Sequence, residues 1–145
     1  MGGIDRRSAL SLGFVASVAP LLAFSGPARA ELVPNYSPTD GEEIGPGIRL
    51  VEVGTQESQM SAYSSIKIID IFYQPGASDS PDDPPMDTDM ICFILAGSFT
   101  IQKEGLEPYE VHEGDFYSCG IGKKDLATNI GPGVGIHRIA LLMPA

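Results

Sequence analysis

Basic side chains are scarce in this chain. Nine Lys and Arg stand against nineteen Asp and Glu, for a formal net charge of −10. Nucleic acid is therefore excluded as a partner, because phosphate binding needs clustered cations, and an anionic membrane surface is disfavoured for the same reason. Histidine is rarer still. The two present, His112 and His137, are too few for the three or four ligands of an imidazole-based transition-metal site. They also leave too many spatial arrangements open for any Ser-His-Asp or Cys-His grouping to be assigned from spacing. The two cysteines, Cys92 and Cys119, lie in apolar strand-like runs and read as separately buried thiols rather than a disulfide. No stretch beyond residue 30 carries a sustained 3.6-residue apolar period with caps at both ends, so helix is a minor component. There is no internal repeat, no nucleotide-binding glycine loop after a strand and no low-complexity tail.

What is present begins with a leader. Residues 1–30 combine a basic start around Arg6 and Arg7, an apolar stretch from Leu12 to Phe24 and a small-x-small signature at Ala28-Arg29-Ala30, the features of an export signal. The paired arginines followed by Leu10 resemble a twin-arginine signal, although Ala9 and Ser11 replace its usual aromatic and lysine. The apolar run is far shorter than the roughly 20 residues of a spanning helix, so no membrane span is expected after cleavage. The mature chain, Glu31–Ala145, keeps six basic and eighteen acidic residues, net −12, and is expected to be a periplasmic or secreted single domain.

Residues 31–48, rich in Pro and Gly without any period, read as an irregular arm, and residues 49–145 as the folded domain. A succession of short strands follows: Ile48 to Val53, Ser65 to Tyr73, Ile91 to Leu95, Ser98 to Gln102, Tyr109 to His112, Phe116 to Cys119 and Ile136 to Met143. Ala96-Gly97 predicts a hairpin between the two strands that flank it, Ile91 to Leu95 and Ser98 to Gln102. The acidic, proline-stiffened segment SDSPDDPPMDTD (residues 78–89) is a loop. Many short strands with Gly and Pro turns predict an all-β sandwich or barrel.

From FYQPGA (residues 72–77) through MICFILAGSFTI (residues 90–101) to GDFYSCGIGKKDLATN (residues 114–129), the order of signals resembles the cupin family, whose fold is a jelly-roll β-barrel. The resemblance covers about Ile66 to Pro144. Gly114, Gly122 and Asn129 fall at the spacing of the second cupin motif, with Gly120 in its proline position and Asp125 in its histidine position. In the first motif Met90 occupies the glutamate slot. Depending on register, the histidine slots fall among Asp82, Asp83, Pro84, Pro85 and Met86. The glycines and Asn129 are expected to serve turn geometry, while the metal-gripping imidazoles are missing.

The resemblance thus implies a single-domain cupin-type jelly-roll β-barrel with neither a His-based metal site nor another cofactor, binding a small molecule at the barrel mouth. Asp125, Met90, Cys92 and His137 are the candidate ligand-binding residues, and no catalytic residue is assigned. Met90 and Cys92 should share the interior face of one strand, near the aromatic Phe72 or Phe116. His112 should be exposed. In the last strand His137, Ile139, Leu141 and Met143 should share a face. The alternative is an enzyme, either a metal-dependent oxygenase or isomerase with carboxylate ligands or a metal-free isomerase using Asp125 or His137 as base. An oxygen-rich site for a hard cation among Asp82, Asp83, Asp87, Asp89 and Asp125 is a further reading. Analogy with cupin-like dimers implies a homodimer, with the arm free to add a strand to a partner sheet.

Overall fold

The computed structural model describes residues 33–145, of which Asn35–Ala145 form one compact unit; the leader expected at residues 1–30 lies outside the described residues. Nine strands and no helix occur among the described residues: β1 (Glu42–Gly45), β2 (Ile48–Glu57), β3 (Tyr63–Tyr73), β4 (Asp89–Ala96), β5 (Ser98–Lys103), β6 (Tyr109–His112), β7 (Phe116–Cys119), β8 (Asp125–Asn129) and β9 (Gly135–Pro144). All pairings are antiparallel. A six-stranded sheet runs β1-β2-β3-β9-β4-β7 and a three-stranded sheet runs β6-β5-β8. The core lies between them, with Ile69, Met90, Cys92, Tyr117 and Ile139 from the first and Phe99, Ile101, Val111 and Ala127 from the second. Each such large apolar side chain contributes about 1.5–3 kcal/mol on full burial.

The expected hairpin at Ala96-Gly97 does not form. β4 pairs with β7 and β9, whereas β5 pairs with β6 and β8. Gly97, at φ 86°, is the corner where the chain leaves one sheet for the other. A Cβ there would sit 2.9 Å from the Gly135 Cα, so the corner requires glycine twice over. The turn after β6 is a second such crossing, held by Ile94 N–H donating to the Asp115 carbonyl (2.9 Å) and Gly114 N–H donating to the Ile94 carbonyl (2.9 Å). Gly114 and Gly122 both adopt positive φ, as their motif spacing implied.

The arm is more ordered than its composition predicts. Its Glu42–Gly45 segment forms β1 and pairs with β2 of the same chain, so it is an edge of its own sheet. Upstream, Tyr36 stacks on Phe72 with ring centroids 5.1 Å apart. Phe72 therefore does not face the interior as expected. It alternates with Ile71 and Tyr73 and lies on the outer face, buried beneath Tyr36. Beside it is Asp70, fully buried, whose carboxylate accepts two parallel 2.8 Å bonds from Arg138 Nε and Nη2 and a 2.5 Å bond from the Tyr36 hydroxyl. That bidentate geometry satisfies a charge that would otherwise be costly to bury.

The other mislocated aromatic is Phe116. It is 71% exposed and tilts against Phe93 on the outer face. Tyr117, one residue on, points inward.

Candidate functional site

A cavity of about 220 Å³ opens between the sheets. Its walls are apolar, formed by Ile69 and Ile71 of β3, Met90 and Cys92 of β4, and Ile139 and Leu141 of β9. The period-two alternation of β9 places His137 on the same side as Ile139 and Leu141, so the sequence reading of that face agrees with the structure. Met90 pairs opposite Cys119 and Leu141, and Cys92 opposite Tyr117 and Ile139, which sets both sulfur side chains on the inner face. Asp125 opens β8 opposite Lys103. The sequence reading predicts no strand around it; the structure makes it the first residue of one. All four candidate residues, Asp125, Met90, Cys92 and His137, line this one cavity.

His137 is 1% exposed and boxed in by aromatic rings. Phe99 lies 4.0 Å away, Tyr73 5.2 Å and Tyr117 6.0 Å, centroid to centroid. Its Nδ1 is 3.5 Å from the Tyr117 hydroxyl, a long contact, and its Nε2 has no hydrogen-bond partner. Burial drives its pKa down to about 3, because a low-dielectric box disfavours imidazolium. The ring is therefore neutral at pH 7, offering a single donor or acceptor at Nε2 according to tautomer.

Asp125 is buried too, and its Oδ2 is likewise unpartnered. Burial raises its pKa from the ordinary carboxylate value, against the downward pull of the Lys103 ammonium and of the neighbouring Cys119 thiol. His137 Nε2 and Asp125 Oδ2 are the only buried side-chain polar atoms without a partner among the described residues.

The other polar groups nearby are satisfied or inert. Asp79 accepts from the Tyr73 hydroxyl (3.0 Å) and the Ala127 N–H (2.8 Å), which ties the segment after Gly76 to β8. The thiols of Cys92 and Cys119 are free, and burial pushes them up to about 12 and about 11. Neither is a ready thiolate. Asn129, buried at the end of β8, donates to the carbonyls of Tyr73 (3.0 Å) and Gly133 (2.9 Å) and accepts from the Gly131 N–H (2.9 Å). It thus pins its own loop, as expected, and also the end of β3. Sequence reasoning missed Tyr73, Asp79 and Tyr117. Only the inward alternation of Tyr73 and Tyr117 along their strands signalled them.

The remaining sequence candidates lie elsewhere. His112 is exposed, bonded through Nδ1 to the Ser98 hydroxyl at 2.9 Å. The acids of the proline-rich loop do not converge. Asp83 accepts from the Ser80 N–H (3.1 Å), a local turn bond. Asp89 accepts from Ile121 N–H (3.0 Å) and the Tyr63 hydroxyl (2.8 Å), bonds that hold its carboxyl below the usual range. No three His, Cys, Asp or Glu side chains converge as ion ligands among the described residues. A cupin-type transition metal would find one imidazole, one protonated thiol and the carboxyls of Asp79, Asp83 and Asp125 along the cavity, no three of them converging among the described residues, a donor set that does not fit it.

No protein-family model and no curated protein matches the sequence. Solved structures do match in fold. KdgF from Halomonas sp. superposes with a TM-score of 0.55 at 18% identity over 71% of this chain and 87% of that one. The Cnp3 cupin domain of Schizosaccharomyces pombe gives 0.55 at 14% identity over 75% and 68%. A cupin superfamily protein from Desulfitobacterium hafniense gives 0.52 at 14% over 77% and 94%. The chain is similar to these in its fold, and that fold is the cupin jelly roll.

Proposed function

We propose that this cupin-fold chain is an exported small-molecule binder whose ligand sits in the cavity between the sheets, held by His137 Nε2 and Asp125 Oδ2. The observation that carries the reading is that the two residues with orphaned buried atoms both line one cavity. Buried polar atoms are normally satisfied, and each one left bare costs about 1–3 kcal/mol. A ligand that bonds both recovers that cost while the apolar walls cover its body. The export signal that residues 1–30 resemble in sequence is what favours a role outside the cytoplasm.

The size and charge of the cavity narrow the ligand class. A 150 Å³ apolar cavity holds benzene, so about 220 Å³ accommodates roughly nine non-hydrogen atoms on the same scale. Asp79, Asp83 and Asp125 face it against the single ammonium of Lys124, and His137 is neutral. An anion would meet like charge in a poorly solvated space. The ligand is accordingly not an anion, and it has an apolar body and one end that both donates and accepts, such as an amide, lactam or phenol.

Titrating ¹⁵N-labelled protein with matched aromatic carboxamides and carboxylates tests this. The carboxamides should shift resonances of β8 and β9, the carboxylates should not, and Asp125→Asn should weaken carboxamide binding about tenfold. Equal binding of the carboxylates, indifference to Asp125→Asn, or stoichiometric transition metal in the purified protein would overturn the reading. The raised Asp125 carboxyl is also what a metal-free acid–base isomerase uses. Turnover of a bound ligand that Asp125→Asn abolishes with affinity intact would replace the binder by that enzyme.

A further inference from the structure

The described residues contain six cationic side chains, and they divide evenly. Arg49, Lys67 and Arg138 pair with Glu43, Glu52 and Asp70. Lys103, Lys123 and Lys124 form no carboxylate pair among the described residues, and all three line one groove of about 310 Å³ beside the end of β7, floored by Ser118, Cys119 and Gly120. A chain of net charge −10 thus gathers its unneutralised ammonium groups in one place. From this geometry we infer that the groove is an oxyanion site, taking a free phosphate-type ion or the phosphate group of a small molecule.

Two of the three ammonium groups are held in position by the fold. Lys103 Nζ donates to the Ser118 carbonyl and lies 5.3 Å from the centroid of the Tyr117 ring. Lys124 Nζ donates to the Pro81 carbonyl across the groove's neighbouring loop. An ammonium has three N–H donors, so each keeps donors for a ligand, and fixing the side chain beforehand removes part of the entropy cost of binding. Lys123 is exposed and completes the cluster. Glu104 lies on the rim and Asp125 opposite Lys103, two acids against three ammonium groups, which leaves the groove with an excess of positive charge. Lysine acts in such a site as a point charge rather than a fork. The groove shares Lys124 with the cavity between the sheets, and Lys103 stands opposite Asp125, so Lys123, which lines the groove and not the cavity, is the position that tells the two sites apart.

The test is an amide-shift titration with inorganic phosphate, chloride at matched ionic strength serving as reference, and phenyl phosphate as a second arm. Phosphate should shift the amides of residues 118–124 selectively. Lys123→Gln, at an exposed position, should weaken binding about threefold, and K103Q/K123Q/K124Q about tenfold or more. Phenyl phosphate tighter than phosphate identifies an organic phosphate, with its ring on Leu106, which also lines the groove; equal affinity identifies the free ion. Phosphate shifts no larger than those of chloride would overturn the inference, as would affinity unchanged in both the single and the triple variant.

Discussion

Two carboxyl groups are buried in this fold, Asp70 on the outer face of the six-stranded sheet and Asp125 at the start of β8 in the three-stranded sheet, and they are treated in opposite ways. On the outer face Asp70 has every need met, by the Arg138 fork and the Tyr36 hydroxyl. Between the sheets Asp125 keeps an oxygen, and His137 a nitrogen, without a hydrogen-bond partner, and both residues line the cavity there. Only the second arrangement leaves polar atoms without a partner. Burial of a charge therefore does not by itself mark a site here, whereas burial without a partner does.

The sharpest way to break this comparison is to remove each carboxyl in turn. Asp70→Ala leaves the Arg138 guanidinium uncompensated and frees Tyr36. It should cost about 3 kcal/mol in urea unfolding, whereas Asp125→Asn alters a carboxyl whose Oδ2 has no partner and should move stability by less than about 1 kcal/mol. Comparable losses would erase the distinction between the two carboxyls.

Acid sharpens it further. His137 stays neutral in the folded chain down to about pH 3 and protonates in the unfolded chain near 6.5. Between those values the unfolded state binds the extra proton. The His137 contribution is thus fully present above pH 6.5 and shrinks by about 1.4 kcal/mol per pH unit below it. Asp79 and Asp125, raised in the fold by burial, act with the opposite sign and gain stability as pH falls through their own range. Comparison with His137→Leu isolates the histidine: relative to that variant the native chain should lose about 1.4 kcal/mol per unit from pH 6 to pH 4. Parallel pH profiles would mean that the imidazole is not held neutral.

The smallest expected effect concerns the outer face alone. Phe116→Ser should change stability by less than about 0.5 kcal/mol, since the ring is 71% exposed. A loss several times larger would show that the ring is covered in solution.

Much of this was legible in the sequence where side chains alternate. SIKIIDIFY and IHRIALL announced β3 and β9 and the inward face of the latter, and the motif spacing brought Asp125 and Met90 to one place. The sequence hid whatever depends on distant partners. Tyr36 meets Asp70, 34 residues away, so an arm read as irregular turned out to be docked. DLATN, poor in strand-forming residues, became β8 because β5 offers it a ladder from Asp125 to Asn129. The false hairpin at Gly97 arose because a positive-φ glycine serves a corner between sheets as readily as a turn within one. Phe72 and Phe116 were placed inside on hydrophobicity alone, where the strand alternation shared with Ile71 and Tyr117 decides.

The most direct measurement is a crystal structure of the protein soaked with an aromatic carboxamide. The account predicts the fragment between the sheets, its amide within hydrogen-bond distance of both His137 Nε2 and Asp125 Oδ2. A cavity filled only by ordered water bonded to those two atoms, with the fragment absent, would contradict it.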